Sequence, residues 1–291
     1  MTREALSAAV DALDAAGVED PRLDAEVLLS AATGWDRAEL AANPDREIPP
    51  PAARGFAEMV RRRLRREPVA YIVGRRGFHG IELAVDPRVL IPRPETELLV
   101  ELALEERPRR LLDVGTGSGA IALAVASELP ECEVVATDTS SAALEVARAN
   151  AERLGLASRV EFHEGALPPG GAEFDLVLAN LPYVSETEWP GLEPEVTEWE
   201  PREALLAGPD GLDAIRAFLA AGPPARCLAL EVGEGQATAA GELMREAGFE
   251  EIEVREDLAG IDRVVVGCSK SADFAFSGAI DPKTTKSVPD G

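Results

Sequence analysis

Four consecutive residues, Asn180-Leu181-Pro182-Tyr183, carry groups suited to holding a flat nitrogen. Asn180 offers a side-chain carbonyl, Leu181 and Pro182 offer backbone carbonyls, and Tyr183 offers a ring face. An amide or amino nitrogen of this kind is a poor nucleophile, because its lone pair is delocalised. Asn180 Oδ1 and a neighbouring backbone carbonyl would accept its two N–H bonds and aim it at an electrophile. Pro182 biases Leu181 to an extended backbone, which helps direct that carbonyl. Taken alone, the tetrapeptide also reads as an ordinary strand-to-loop turn.

A second set lies upstream. Residues 110–114 form an apolar run ending in Asp113-Val114, followed by Gly115-Thr116-Gly117-Ser118-Gly119 and a helical stretch over 120–129. Glycines there let a ligand approach the backbone at a helix N-terminus. Gly115-x-Gly117-x-x-Ala120 also satisfies the dinucleotide fingerprint in its G/A form. Asp138 ends the next strand, where it would accept hydrogen bonds from both ribose hydroxyls, as NAD enzymes also require. Glu164-Gly165 closes the strand after that; its carboxylate suits an adenine amino group, or is a plain surface acid. Asp113, inside the strand, fits a cationic methionine moiety better than a pyrophosphate, which favours S-adenosylmethionine.

These groups need a scaffold that brings them to one edge. Leu176, Val177 and Leu178 read as a buried strand whose carboxyl end delivers Asn180, the place where open α/β sheets bind ligands. Further strands over 227–232, 252–254 and 263–266 alternate with helices over 142–154 and 212–221 and one ending at Ala247. That order predicts an α/β, doubly wound, mostly parallel seven-stranded sheet over 98–268, finished by a hairpin with a reversed edge strand.

Residues 1–75 read as a small helical docking domain. Leu6, Val10 and Leu13 share a face ended by Gly17. Asp20-Pro21 opens a second helix with Leu23, Val27 and Leu28 inside and Gly34 beyond its end. A third helix after the Pro-rich break at 48–51 carries Phe56, Met59, Val60 and Leu64. It also carries Arg61, Arg62, Arg63, Arg65 and Arg66, read as a solvated face balanced by nearby carboxylates, with partner steering as the alternative. Residues 76–97 form a connector, with a strand over 78–85, a turn at Asp86-Pro87 and a returning strand over 89–91. His79 reads as a loop residue, and 269–291 as a flexible tail.

The net charge of −24 in 291 residues disfavours a nucleic-acid-coating surface, and 46% apolar content supports a sizeable core. No apolar run approaches a membrane span, and the N-terminal amphipathic helix is unlike a secretory signal. Cys132, Cys227 and Cys268 show no metal-ligand pattern, so no metal is expected and a reducing cytoplasm fits.

Several separate segments together resemble the peptide-chain release factor N5-glutamine methyltransferases, a class I methyltransferase family. They are Gly77-Phe78-His79-Gly80, the stretch Val89-Leu90-Ile91-Pro92-Arg93-Pro94-Glu95-Thr96-Glu97, the glycine loop, Glu200-Pro201-Arg202, Gly208-Pro209-Asp210-Gly211-Leu212, and Glu231-Val232-Gly233 with Gln236. The resemblance implies methylation of the glutamine amide in the GGQ motif of class 1 release factors. It implies that Gly115, Thr116, Gly117, Ser118 and Gly119 line the methionine part of S-adenosylmethionine, with Asp138 on the ribose and Glu164-Gly165 on the adenine side. Asn180 and Tyr183 would hold the glutamine, Leu181 and Pro182 completing the pocket, in a cytoplasmic, monomeric enzyme. The family usually has Asn-Pro-Pro-Tyr, so Leu181 is a departure. Asn-Leu-Pro-Tyr is also similar to the motif of rRNA adenine N6-dimethyltransferases, the competing reading.

Overall fold

A computed structural model describes residues 1–171 and 173–269, so the expected tail from 270 onward lies outside the described residues. Five helices come first: α1 (Thr2–Ala15), α2 (Pro21–Thr33), α3 (Arg37–Ala42), α4 (Pro50–Arg63) and α5 (Val69–Val73). Pro21 at the first turn and Gly34 in a left-handed cap bracket α2, as the sequence signals require. Leu13, Leu28 and Leu29 form the centre of this bundle. Leu23, expected inside, is 41% exposed. The inward stripe of α2 runs through Ala25, Leu28 and Leu29, at i, i+3 and i+4, and Leu23 lies off it. Leu64 sits beyond the end of α4 and is exposed as well. Short α3 and α5 carry too little periodicity to be read from sequence.

The connector differs from expectation. Strands β1 (Arg75–Phe78) and β2 (Ile81–Ala84) form an antiparallel hairpin with Phe78 opposite Ile81. Its turn is His79-Gly80, both at positive φ, and not Asp86-Pro87. Two adjacent positive-φ residues are the two-residue hairpin turn, and they break the run that alternation had joined. Residues 89–91 form no strand; Val89 and Ile91 are buried instead.

The rest of the chain is α6 (Glu97–Glu106), β3 (Arg110–Val114), α7 (Ala120–Glu128), β4 (Glu133–Asp138), α8 (Ser141–Arg153), β5 (Val160–Glu164), β6 (Phe174–Ala179), α9 (Pro194–Trp199), α10 (Asp213–Ala220), β7 (Ala225–Glu231), α11 (Ala237–Glu246), β8 (Glu251–Glu256) and β9 (Asp262–Cys268). The seven strands run in the order β5-β4-β3-β6-β7-β9-β8. Alternate side chains feed opposite faces: Leu111 joins one core cluster and Leu112 the other. The reversed strand is β9, second from the edge and antiparallel to both β7 and β8. Val264, Val265 and Val266 of β9 are almost wholly buried, whereas β8 stays partly exposed along its length, so the more apolar strand takes the interior place. This insertion sets Cys227 directly opposite Cys268, and the two sulfurs are bonded. The cysteine spacing gave no sign of this bond, because a cross-strand neighbour far away in sequence is invisible to spacing. Among the described residues, no helix is long and apolar enough to cross a membrane.

Candidate active site

A cavity of about 300 Å³ opens at the carboxyl ends of β3, β4 and β6. Gly115, Gly117, Asp138, Gly165, Asn180, Leu181 and Pro182 line it, together with Val89, Leu90, Pro201, Glu203 and Phe218. The strand order makes this inevitable: β3 lies between β4 and β6, so the glycine turn, Asp138 and Asn180 emerge side by side. The crevice lies where the chain order reverses, between β3 and β6.

The glycine turn is held from several sides. Gly115, Gly117 and Gly119 all have positive φ, and a Cβ on Gly115 would project to 3.7 Å from Leu181 Cδ2 and 3.8 Å from the Asn180 carbonyl. The missing side chain therefore keeps open the slot between the turn and the Asn180 segment. Gly119 faces the other way, toward Leu123 of α7. Thr116 and Ser118 are buried and do not line the cavity. Asp138 Oδ2 accepts from the Gly117 N–H at 2.9 Å and Oδ1 from the Ser140 N–H at 2.8 Å. Each oxygen keeps a lone pair for a ligand.

Asp113 does not face the cavity, contrary to the electrostatic reading of the sequence. Its Oδ2 accepts from the Thr116 hydroxyl at 2.6 Å and the Ala122 N–H at 3.1 Å, so it braces the loop from behind. Burial pushes its carboxyl up to about 7, although both hydrogen bonds pull the other way. Glu164 is exposed and outside the cavity lining, whereas its neighbour Gly165 lies within it.

Asn180 donates from Nδ2 to Thr96 Oγ1 at 2.9 Å, and no group among the described residues donates to its Oδ1. Tyr183 does not line the cavity. Its hydroxyl donates instead to the buried Glu231 Oε1 at 3.4 Å. Its backbone carbonyl accepts from Gln236 Nε2 at 2.9 Å, while Gln236 Oε1 accepts from the Gly233 N–H. Gln236 thus fixes the turn that presents Asn180.

Sequence reasoning missed three supports. Asn150 of α8 is buried and donates to the carbonyls of Ser118 and Ala84, tying the glycine loop to β2. A lone asparagine in an apolar helical stretch was its available signal. Glu200 accepts from the Ile91 N–H at 3.0 Å and pairs with Arg93, joining two stretches of the quoted signature. Glu195 of α9 joins the sheet domain to α4: Arg63 Nη1 lies 2.6 Å from its Oε1, and Arg66 Nη2 2.6 Å from its Oε2. The arginine run is therefore balanced by carboxylates, but Arg63 is buried and not solvated.

The fold and this cleft together define a methyltransferase of the Rossmann-like type. The PrmC N-terminal domain family matches residues 4–74, and the methyltransferase small domain family matches residues 94–191. The catalytic domain of hMettl16, in complex with a MAT2A 3′UTR hairpin, superposes with a TM-score of 0.53 at 16% identity, over 66% of this chain and 77% of that one, a likeness of fold alone. The release factor glutamine methyltransferase of Geobacter sulfurreducens is 44% identical over 86% of this chain and 90% of its own length. That of Moorella thermoacetica is 45% identical over 90% of this chain and 96% of its own. The chain belongs to the release factor glutamine methyltransferase family.

Proposed function

We propose that this protein transfers a methyl group from S-adenosylmethionine to the side-chain amide of the GGQ glutamine in class 1 release factors. The observation that carries this reading is the place of Asn180: it lines the cleft with its amide nitrogen engaged by the buried Thr96, and its Oδ1 receives no donor among the described residues. An acceptor there matches an N–H donor in the substrate.

When bound, S-adenosylmethionine supplies an electrophilic sulfonium methyl. Gly115 and Gly117 would pass its methionine part along the backbone, Asp138 would accept from its ribose hydroxyls, and Gly165 would border the adenine. The open space where a Gly115 Cβ would stand fits such a group. Asn180 Oδ1 and the Leu181 carbonyl accept the two N–H bonds of the glutamine, hold its nitrogen in line, and stabilise positive charge building there. An N-alkylated amide cation is strongly acidic, so its proton passes to water without a dedicated base. Tyr183 supports this arrangement through its carbonyl, which Gln236 holds. The helical region over 1–75 would grip the release factor, the protein acting as a monomer in the cytoplasm. Incubation with a purified release factor and isotope-labelled cofactor, followed by peptide mass spectrometry, tests the reading. Label on the GGQ glutamine is expected; label elsewhere, or none with cofactor bound, refutes it.

A further inference from the structure

We propose that Gln236 is a positioning residue for the methyl transfer, a role that rests on the functional reading above: its single amide holds the segment over 180–183 in register with the cleft. Gln236 caps α11 at its N-terminus and lies outside the cavity lining. Its backbone N–H donates to the Gly233 carbonyl at 3.1 Å and its Oε1 accepts from the Gly233 N–H at 2.9 Å, so the amide is braced on the turn after β7. Nε2 then donates to the Tyr183 carbonyl at 2.9 Å and reaches the Asp210 carbonyl at 3.4 Å. An N–H on one side and two carbonyls on the other leave the amide one orientation. Two glycines make room for it. A Cβ on Gly211 would stand 2.2 Å from the Tyr183 oxygen and 2.5 Å from Nε2; one on Gly233 would stand 3.0 Å from Oε1 and 3.3 Å from Tyr183 Cδ2. Three stretches that stand out in the sequence, over 180–183, 208–212 and 231–236, thus meet at one side chain.

The Tyr183 oxygen belongs to the peptide that ends the segment, and that peptide is gripped at both ends, because the Val184 N–H donates to the Leu205 carbonyl at 2.8 Å. Pro182 locks its own φ and holds Leu181 extended, so a shift of the Tyr183 peptide passes back to Asn180 instead of being absorbed on the way. Without the Nε2 donor the peptide is held from one side only. Asn180 Oδ1 and the Leu181 carbonyl, the two acceptors assigned to the glutamine nitrogen, then lose their common aim, and aim is what a weak nucleophile needs most. A methionine at 236 would fill a similar volume and make neither side-chain bond. A glutamate would keep the Gly233 bond but set a carboxylate oxygen, which has nothing to donate, against two carbonyls.

Gln236→Met and Gln236→Glu in the full chain test this. Tyr71 and Tyr183 are the chain's only tyrosines, and they precede Ile72 and Val184. Tyrosine labelled with ¹³C at the carbonyl, together with ¹⁵N-valine, therefore gives a single coupled NMR signal, from the peptide between Tyr183 and Val184. Both variants should move that carbonyl signal upfield, as a carbonyl that loses a donor does. With a purified release factor, kcat should fall by about 10–100-fold while the release factor KM and the cofactor Kd stay within about threefold of wild type. A rise in KM alone, a Gln236→Met kcat within about twofold of wild type, or an unmoved carbonyl signal overturns the proposal. So does loss of the fold in both variants, which would make Gln236 a structural residue only. A wild type that binds cofactor but leaves the release factor unmethylated refutes the functional reading instead, and the carbonyl signal still judges whether Gln236 holds the segment.

Discussion

Replacing Glu195 with Gln tests whether the two halves of the molecule are held by a buried ion cluster. Glu195 receives Arg66 through Nε and Nη2 and Arg63 through Nη1, at 2.6–2.7 Å, and its side chain is 16% exposed. Arg63 is 7% exposed at its side chain and also donates to Asp24 at 2.6 Å. Orphaning a buried charge costs about 3–5 kcal/mol. Here the substitution orphans neither arginine, because Arg63 keeps Asp24 and Arg66 keeps Glu193, so the expected loss is about 2 kcal/mol. For a protein of this size that lowers Tm by roughly 4–8 °C. A double-mutant cycle of Glu195→Gln with Arg63→Met, followed by urea denaturation, should return a coupling of about 1.5 kcal/mol or more. Burial works to raise the Glu195 carboxyl, but Arg66 and Arg63 outweigh it and hold the group below its usual 4.5. A lowered carboxylate stabilises the fold above its unfolded pKa, and that contribution is lost as pH falls through the folded value. The difference between wild type and variant should accordingly be level from pH 6 to 8 and shrink as pH falls below the carboxyl's usual 4.5. Because α9 leads into Pro201 and Glu203 of the cavity wall, cofactor affinity should weaken severalfold as well. A coupling under about 0.5 kcal/mol, the value of an exposed pair, would refute the reasoning.

Asn180→Ala should lower kcat by about 10²–10³ while calorimetry finds cofactor Kd within about threefold; lost binding with intact turnover would contradict the assigned role. Asp138→Ala should weaken cofactor binding by roughly 10–100-fold, since it removes a charged acceptor and releases the Gly117 and Ser140 N–H groups. Gly119→Ala should destabilise by about 2–4 kcal/mol in urea denaturation, because φ is +85° and the new Cβ would meet Leu123 Cδ1 at 2.8 Å. Asp113, raised from 3.8 to about 7, favours the folded state while protonated, and that preference is lost as pH rises through about 7. At about 1.4 kcal/mol per pH unit, the full effect is on the order of 4 kcal/mol. Asp113→Asn should therefore flatten the decline of stability between pH 4 and 8; an unchanged slope would show that the carboxyl titrates normally.

Much of the architecture was legible in the chain because the signals are local. Pro21 and Gly34 bracket a helix, the run from Phe174 to Ala179 is a buried strand, and Gly115 to Gly119 make a turn that only glycine tolerates at close approach. The same residues named the strand ends where Asp138 and Asn180 would stand, since period and punctuation are properties of neighbours in sequence. What escaped were relations between distant segments. The two-residue turn at His79-Gly80 was hidden by an alternation that runs straight through it.

Sequence alone could also not decide what each polar group faces, because a carboxyl is written the same way in a cleft, in a core or on the surface. Packing turned Asp113 inward to brace the loop and left Glu164 outside the cavity. The placement of β9 beside β7 brought Cys227 to Cys268. Folding the connector against the sheet set Thr96 against Asn180, 84 positions away. Composition and spacing fix which elements form, through contacts a few residues long; the direction of a buried hydrogen bond is fixed only when the chain has closed around it.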